Sequence, residues 1–293
     1  MIIQLAVTGL MVGMVYALMA LGIVVIYKCS SVFNFAHGAI VAFMCYVAWA
    51  FLVQMSLPLW VTAALLVVSA VVLGWIIQVG VLRPLIGQPL LASVMVTLAL
   101  MQVFGGLVTL IWPGPARFYP PIIPTGSLNL AGAVISYESL ISLGVCILVF
   151  LAFLYFFQGT KLGLALRGTA EDHQLARSNG IRVVSMFTLA WIIAIITCSV
   201  GGVLVGNMHG VNYEPVSGLA MKALPAVMIG GMESIVGALL GGLLIGFFET
   251  IGAGFLDPLV GGGFADVFPY IAMIALIIFK PYGLFGYEKI ERV

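Results

Sequence analysis

The sequence is poor in charge. Only 7% of its 293 residues are Asp, Glu, Lys or Arg, while 63% are hydrophobic. A soluble domain carries about 25% charged residues to cover its surface, so a soluble globular fold is excluded and most side chains must face lipid or one another. The net charge of +1 comes without any basic block, which leaves no electrostatic footprint for nucleic acid. Cysteine is scarce too. Cys29, Cys45, Cys146 and Cys198 show no C-x-x-C spacing and lie mostly in apolar runs, so they read as small apolar packing residues. His37, His173 and His209 share no ligand spacing, so no metal site is expected. The motifs Gly-x-x-x-x-Gly-Lys, His-Glu-x-x-His and Gly-x-Ser-x-Gly are missing. No catalytic residue is therefore nominated, no cofactor is expected on this chain, and nothing in it would hydrolyse ATP. A basic n-region is also lacking. Met1 to Tyr27 is apolar and Lys28 follows it, so the stretch is read as a retained first span rather than a cleaved signal.

What the sequence has is apolar length. Candidate spans are 2–27, 35–53, 58–80, 90–112, 138–157, 184–208, 234–256 and 266–280, each near the ~20 residues that a crossing needs. Cations set the orientation. Lys28, Arg83 and the cations of loop 159–183 mark the cytoplasmic side, 54–57 has none, and 113–137 has only Arg117. With the N-terminus outside, these spans would leave the C-terminal Lys289 and Arg292 outside as well. One more crossing at 209–233 repairs the parity. Pro215, Gly218, Pro225 and Gly230-Gly231 interrupt it, so it is read as an extended stretch leading into a half-helix, tolerable where the backbone is buried or lines a watery cavity. The alternative is a re-entrant hairpin with the C-terminus outside. The expected fold is all-α: a polytopic transmembrane helical bundle of about 8–10 crossings, one of them broken, in a single domain over 1–293.

Four features carry candidate function, each beside a plainer reading. Loop 159–183 holds Lys161, Arg167, Glu171, Asp172, Arg177 and Arg182. Thr169 is read as the N-cap of a short helix over 170–178, with Glu171 and Asp172 in its first turn and Asn179-Gly180 as its stop. Such a capped knob suits a cleft in a motor subunit, or else is an ordinary connector. Asn34 and His37 open the second span and either line a pathway or serve as a cap and a backbone-bonded interface residue. Tyr213, Glu214, Lys222, Gly230 and Gly231, around the interrupted stretch, complete the candidate pathway set. Loop 113–137, stiffened by Pro113, Pro115, Pro120, Pro121 and Pro124, is either a docking surface bearing Phe118 and Tyr119 or a rigid connector. Gly9-x-x-x-Gly13, Gly237-x-x-x-Gly241 and Gly242-x-x-x-Gly246 suit close helix packing, within a crowded bundle or between homologous subunits. Glu249 in an apolar run reads as an interfacial neighbour of Asp257.

Several segments together resemble one family. Val32-Phe33-Asn34-Phe35-Ala36-His37-Gly38, the Tyr16-Ala17-Leu18 region, Arg167 to Ile181, Met221 to Gly242 and Lys280-Pro281-Tyr282-Gly283-Leu284-Phe285-Gly286 resemble, in order, the branched-chain amino acid ABC permeases, closer to the first, shorter permease of the pair. Glu233, where a small Gly is usual, and Gly168, where Ala is common, depart from the pattern. The resemblance implies a multi-pass subunit of a bacterial cytoplasmic (inner) membrane importer. It implies a second homologous permease, two cytoplasmic ABC ATPases that bind the ATP, and an external substrate-binding protein, all assembled in membrane lipid. It also implies that Arg167, Thr169, Ala170, Glu171, Asp172, Ala176 and Gly180 form the ATPase-coupling segment, with Ala176 on the contact face. The solute expected is a branched-chain amino acid or a similar small polar organic molecule. The rival is a secondary transporter or channel, which would need coupling carboxylates, and only Glu249 and Glu233 are placed to serve.

The cation distribution makes a direct prediction. A cysteine placed at Gln174 is expected to react only with a reagent on the cytoplasmic side, and one at Phe118 only with a reagent outside. Opposite labelling at both sites would invert the topology.

Overall fold

A computed structural model describes residues 2–120, 126–130 and 133–286. Pro121 and Pro124 of the proline loop, and the terminal Lys289 and Arg292, lie outside the described residues. The chain forms two compact units: Met1–Val24, Ile123–Cys146 and Lys222–Val293 make the first, and Val25–Ile122 and Ile147–Met221 the second.

The helices are α1 (Ile2–Ser30), α2 (His37–Trp49), α3 (Leu59–Trp75), α4 (Leu90–Ile111), α5 (Tyr137–Gly159), α6 (Lys161–Glu171), α7 (His173–Ser178), α8 (Val183–His209), α9 (Tyr213–Met221), α10 (Ala223–Gly230), α11 (Ile235–Ile251), α12 (Asp257–Val260) and α13 (Phe264–Phe279). Turns of π-helix over Ala50–Gln54, Ile76–Leu82 and Gly252–Leu256 prolong α2, α3 and α11. Among the described residues seven helical segments are long and apolar enough to cross a membrane. The shorter apolar α13 adds to these, and the interrupted stretch forms the helices α9 and α10. The expected transmembrane helical bundle is what forms. Apolar side chains such as Val68 on α3, Leu110 on α4, Leu148 on α5 and Ile278 on α13 are exposed, as faces turned to lipid should be.

The interrupted stretch differs from its expectation. Both of its halves are helical, with no long extended lead-in. Pro215 and Pro225 each stand third in their helices, where the missing N–H would have had no intrahelical partner. These prolines start helices rather than break them. The break itself is at Lys222, which precedes α10.

A short hairpin was not anticipated. β1 (Ser127–Leu130) pairs antiparallel with β2 (Ala133–Ser136), Leu128 opposite Ile135. In the same unit Gln4 on α1 clasps it, its amide donating to the Val134 carbonyl at 2.8 Å and accepting from the Val134 N–H at 2.7 Å.

The first unit is built on glycine. α11 presents Gly242 and Gly246 to α1, where they meet the backbone of Ala17 and Gly13, and Gly237 and Gly241 to α10, where they meet Gly230 and Ala226. None of the four has room for a β-carbon. The three spaced-glycine motifs are thus intrachain seams, since Gly9 and Gly13 face the same stretch of α11. In the second unit α2 packs on α4, α8 and α9, and α3 on α8, with Gly202 against the Val41 carbonyl and Gly74 against Ile192.

Gly242→Ala is expected to lower the apparent unfolding temperature sharply and to reduce the yield of monodisperse protein. Gly106→Ala, where the added methyl meets nothing, is expected to be neutral or to stabilise by up to ~1 kcal/mol through helix propensity. Thermal unfolding of the two purified variants against the parent checks the pair.

Candidate functional site

Loop 159–183 folds into two helices that meet at Asp172. Thr160 caps α6, its hydroxyl accepting from the Gly163 N–H at 3.0 Å. Asp172 caps α7, one carboxylate oxygen accepting from Gln174 N at 2.7 Å and Leu175 N at 2.9 Å. These donors, Leu175 first, hold the Asp172 carboxyl below its usual range. The cap is therefore complete at neutral pH and is lost only as pH falls through that lowered value. Thr169 is not the N-cap expected for it. It is buried inside α6, its hydroxyl donating to the Ala165 carbonyl at 2.8 Å. Glu171 consequently ends α6 instead of starting a helix. The stop at Gly180 forms as expected, at φ +79°, with Gly180 N bonded to Arg177 O and Ile181 N to Ala176 O, the paired bonds of a Schellman motif.

Two long-range ties fix this helix pair. Arg167 reaches back to the carbonyls of Phe157 and Gln158 and lies over the Phe157 ring. It thus satisfies acceptors that the end of α5 leaves open. His173, passed over in the sequence because it shares no ligand spacing, donates from Nε2 to the Cys29 carbonyl near the end of α1 at 2.9 Å. Its ring packs edge-on against Phe187 of α8. Ala176, expected on the contact face, is only 3% exposed and turns inward. The outward residue is its neighbour Leu175, 63% exposed, with Glu171 also exposed, Ala170 half-buried and Gly180 at the exposed turn.

The candidate pathway residues divide between the two units. In the second, Asn34 Oδ1 accepts from Ala36 N at 3.1 Å and closes the turn before α2, whose N-cap is Ala36. His37 is fully buried, its Nδ1 3.5 Å from the Cys198 thiol, rather than backbone-bonded at an interface. Gly38 lies against the Ser217 carbonyl, so α2 and α9 touch here. Tyr213 packs its hydroxyl over Gly105 of α4, and Glu214 is exposed in the first turn of α9. In the first unit Gly230 and Gly231 are packing residues. Gly231 receives the C-terminal turn, where Leu284 N bonds to Ile229 O and Phe285 N to Gly230 O.

Lys222 is the exception in a membrane chain, a buried cation. Its Nζ lies 2.7 Å from Glu249 Oε1 and 2.7 Å from Asp266 Oδ1. This corrects the placing of Glu249 with Asp257: Asp257 instead caps α13, accepting from Phe264 N and Ala265 N. The triad joins the break between the half-helices to α11 and α13. The two prolines and the Gly-Gly flagged the break, but no local signal could pair residues 27 and 44 positions apart. The proline loop is also strapped down in its described part: Trp49 Nε1 donates to Phe118 O, Tyr119 Oη to Cys45 O, and Arg117 bridges Val211. That favours the rigid-connector reading over 113–120, although Phe118 remains exposed.

Glycine-sealed membrane helices, an interrupted stretch with an ion triad at its break, and a capped helix pair between two spans describe a polytopic membrane protein. The family model described as branched-chain amino acid transport system / permease component matches residues 5–277, and the chain belongs to that family. It is 31% identical to the high-affinity branched-chain amino acid transport system permease protein BraD of Pseudomonas aeruginosa, over 99% of this chain and 98% of that one. To LivH of Escherichia coli it is 28% identical over 97% and 96%. Among solved structures, PsaBC from Streptococcus pneumoniae in complex with Fab aligns at TM-score 0.52 and 16% identity, over 94% of this chain and 90% of that chain. At that identity the likeness bears on the fold alone.

Lys222→Met strands Glu249 as a largely buried anion, its side chain 17% exposed, and is expected to cost up to ~3–5 kcal/mol, read as a lower unfolding temperature. Adding Glu249→Gln should recover most of the loss, and Asp266→Asn alone, at an exposed carboxylate, should cost less than ~1 kcal/mol. Equal losses for all three variants would deny the triad its anchoring role.

Proposed function

We propose that this chain is one permease of an ABC importer in the cell inner membrane. With a second homologous permease it forms the pathway for a branched-chain amino acid or a similar small polar organic solute. An external binding protein delivers the solute, and two cytoplasmic ATPases supply the work. The supporting observation is the α6–α7 pair. It is capped at Thr160, Asp172 and Gly180, tied by Arg167 to the end of α5 and by His173 to the end of α1, and presents Leu175 outward. A helix so tethered moves with the spans it touches, which is what transmission of a push from a motor subunit demands. Membership of the branched-chain amino acid permease family supports the solute class, as does 31% identity to BraD. The rival reading as an ion-coupled transporter loses its main residue, because Glu249 is already engaged by Lys222.

Leu175→Glu places a charge where an apolar side chain would enter an ATPase cleft. Membrane abundance should stay normal, since residue 175 faces outward. Co-purification of the ATPase and solute uptake should both fall about tenfold or more, as for loss of a central interface anchor. Uptake and co-purification at parental levels would leave α7 a plain connector.

A further inference from the structure

The second unit contains a cavity that the transport reading does not use. It has a volume of about 280 Å³ and lies between the end of α1, the π-helical end of α3, the start of α4, α7 and the start of α8. Its walls are largely apolar, with Leu82, Ile86, Leu90, Phe187 and Trp191, but Gln78 and Ser93 line it too and are only 2% and 7% exposed.

Beside it lies a second hollow, sharing Arg177, Val183 and Val184 with the first and adding Arg83 and Arg182. Three arginines thus converge from the α3–α4 connection, from α7 and from the turn before α8. Among the described residues none of them is paired with a carboxylate; the ion pairs formed are those of Lys222. All three are exposed, so the hollow presents three positive charges at one place on the surface of this unit. α8 adds to it. Its N-cap, Arg182, supplies no side-chain bond, and the first residues of this 27-residue helix, Val183 and Val184, line both hollows.

We infer that this pair of hollows holds the phosphate of an anionic glycerophospholipid, with Arg83, Arg177 and Arg182 around the headgroup and its chains along Ile86 and Leu90. The lining argues for a lipid rather than a soluble anion. Ile86 is 45% and Leu90 61% exposed, so the mouth is apolar where acyl chains would leave it. The cation distribution puts this end at the cytoplasmic leaflet, where basic clusters meet anionic headgroups. Three positive charges select a lipid of net negative charge over a zwitterionic one, because the zwitterion brings its own ammonium to the site.

The test uses the full chain, purified and delipidated in detergent, and titrated separately with phosphatidylglycerol, phosphatidylcholine and inorganic phosphate. Native mass spectrometry reads bound adducts and thermal unfolding reads stabilisation. Phosphatidylglycerol is expected to be retained in preference to phosphatidylcholine and to raise the unfolding temperature. Its affinity should drop about fivefold for each of Arg83→Gln, Arg177→Gln and Arg182→Gln. The triple lysine variant, which keeps the charge, should retain most of the binding and guards against misfolding of the glutamine variants. Equal retention of both lipids, or retention untouched by the triple glutamine change, overturns the inference. Equal protection by inorganic phosphate would make this a site for a free anion. If the triple glutamine variant kept its lipid but lost its co-purifying ATPase, the arginines would be a protein-docking surface instead.

Discussion

Backbone-to-backbone contact across α11 is the constraint on which the first unit rests. Lipid is as apolar as leucine, so burial supplies little drive between membrane helices, and close van der Waals approach must supply it. α11 meets two partners at once, α1 through Gly242 and Gly246 and α10 through Gly237 and Gly241. With glycine on both faces it is effectively a spacer of bare backbone. Its register against α10 in turn places Gly230 and Gly231, and with them the C-terminal turn that hydrogen-bonds to Ile229 and Gly230.

Given that scaffold, the few charges have specific work. Lys222 stands where the crossing breaks, and its two carboxylates come from α11 and α13. An unpaired ammonium there would face a desolvation penalty of several kcal/mol, so the break sits where the less exposed of the two acids, Glu249, is within reach. Arg167 spends its charge on carbonyls that α5 leaves open at its end. Asp172 spends its own on the amides of α7. Among the described residues the arginines at 83, 177 and 182 form no ion pair, and on that contrast rests the lipid site inferred for them.

Much of this was legible in the sequence, because its signals are local. Long apolar runs gave the spans, Gly180 gave the stop of α7, and Pro215, Pro225 and Gly230-Gly231 marked the interrupted crossing. What could not be read was choice among equivalents and pairing at a distance. Thr160, Thr169 and Asp172 are all good N-cap residues, and only the fold decides that the first and third cap while the second is buried. Glu249 could not be matched to Lys222 rather than to nearby Asp257 from spacing. The inward turn of Ala176 depends on how α7 lies on its neighbours, as does the bond from His173 to Cys29. The hairpin escaped because four-residue strands between long helices leave little periodicity to read.

The proposed coupling makes conduction of solute by this chain depend on another protein's ATP hydrolysis acting through α7. The most direct measurement is uptake of radiolabelled leucine into proteoliposomes. One set holds this chain alone and another the chain with its partner permease, the ATPases and the binding protein, each with and without internal ATP. Uptake is expected only in the complete, ATP-loaded vesicles, with none above background from the chain alone. Leucine accumulation by the chain alone, driven by an ion gradient or by ATP, would contradict it.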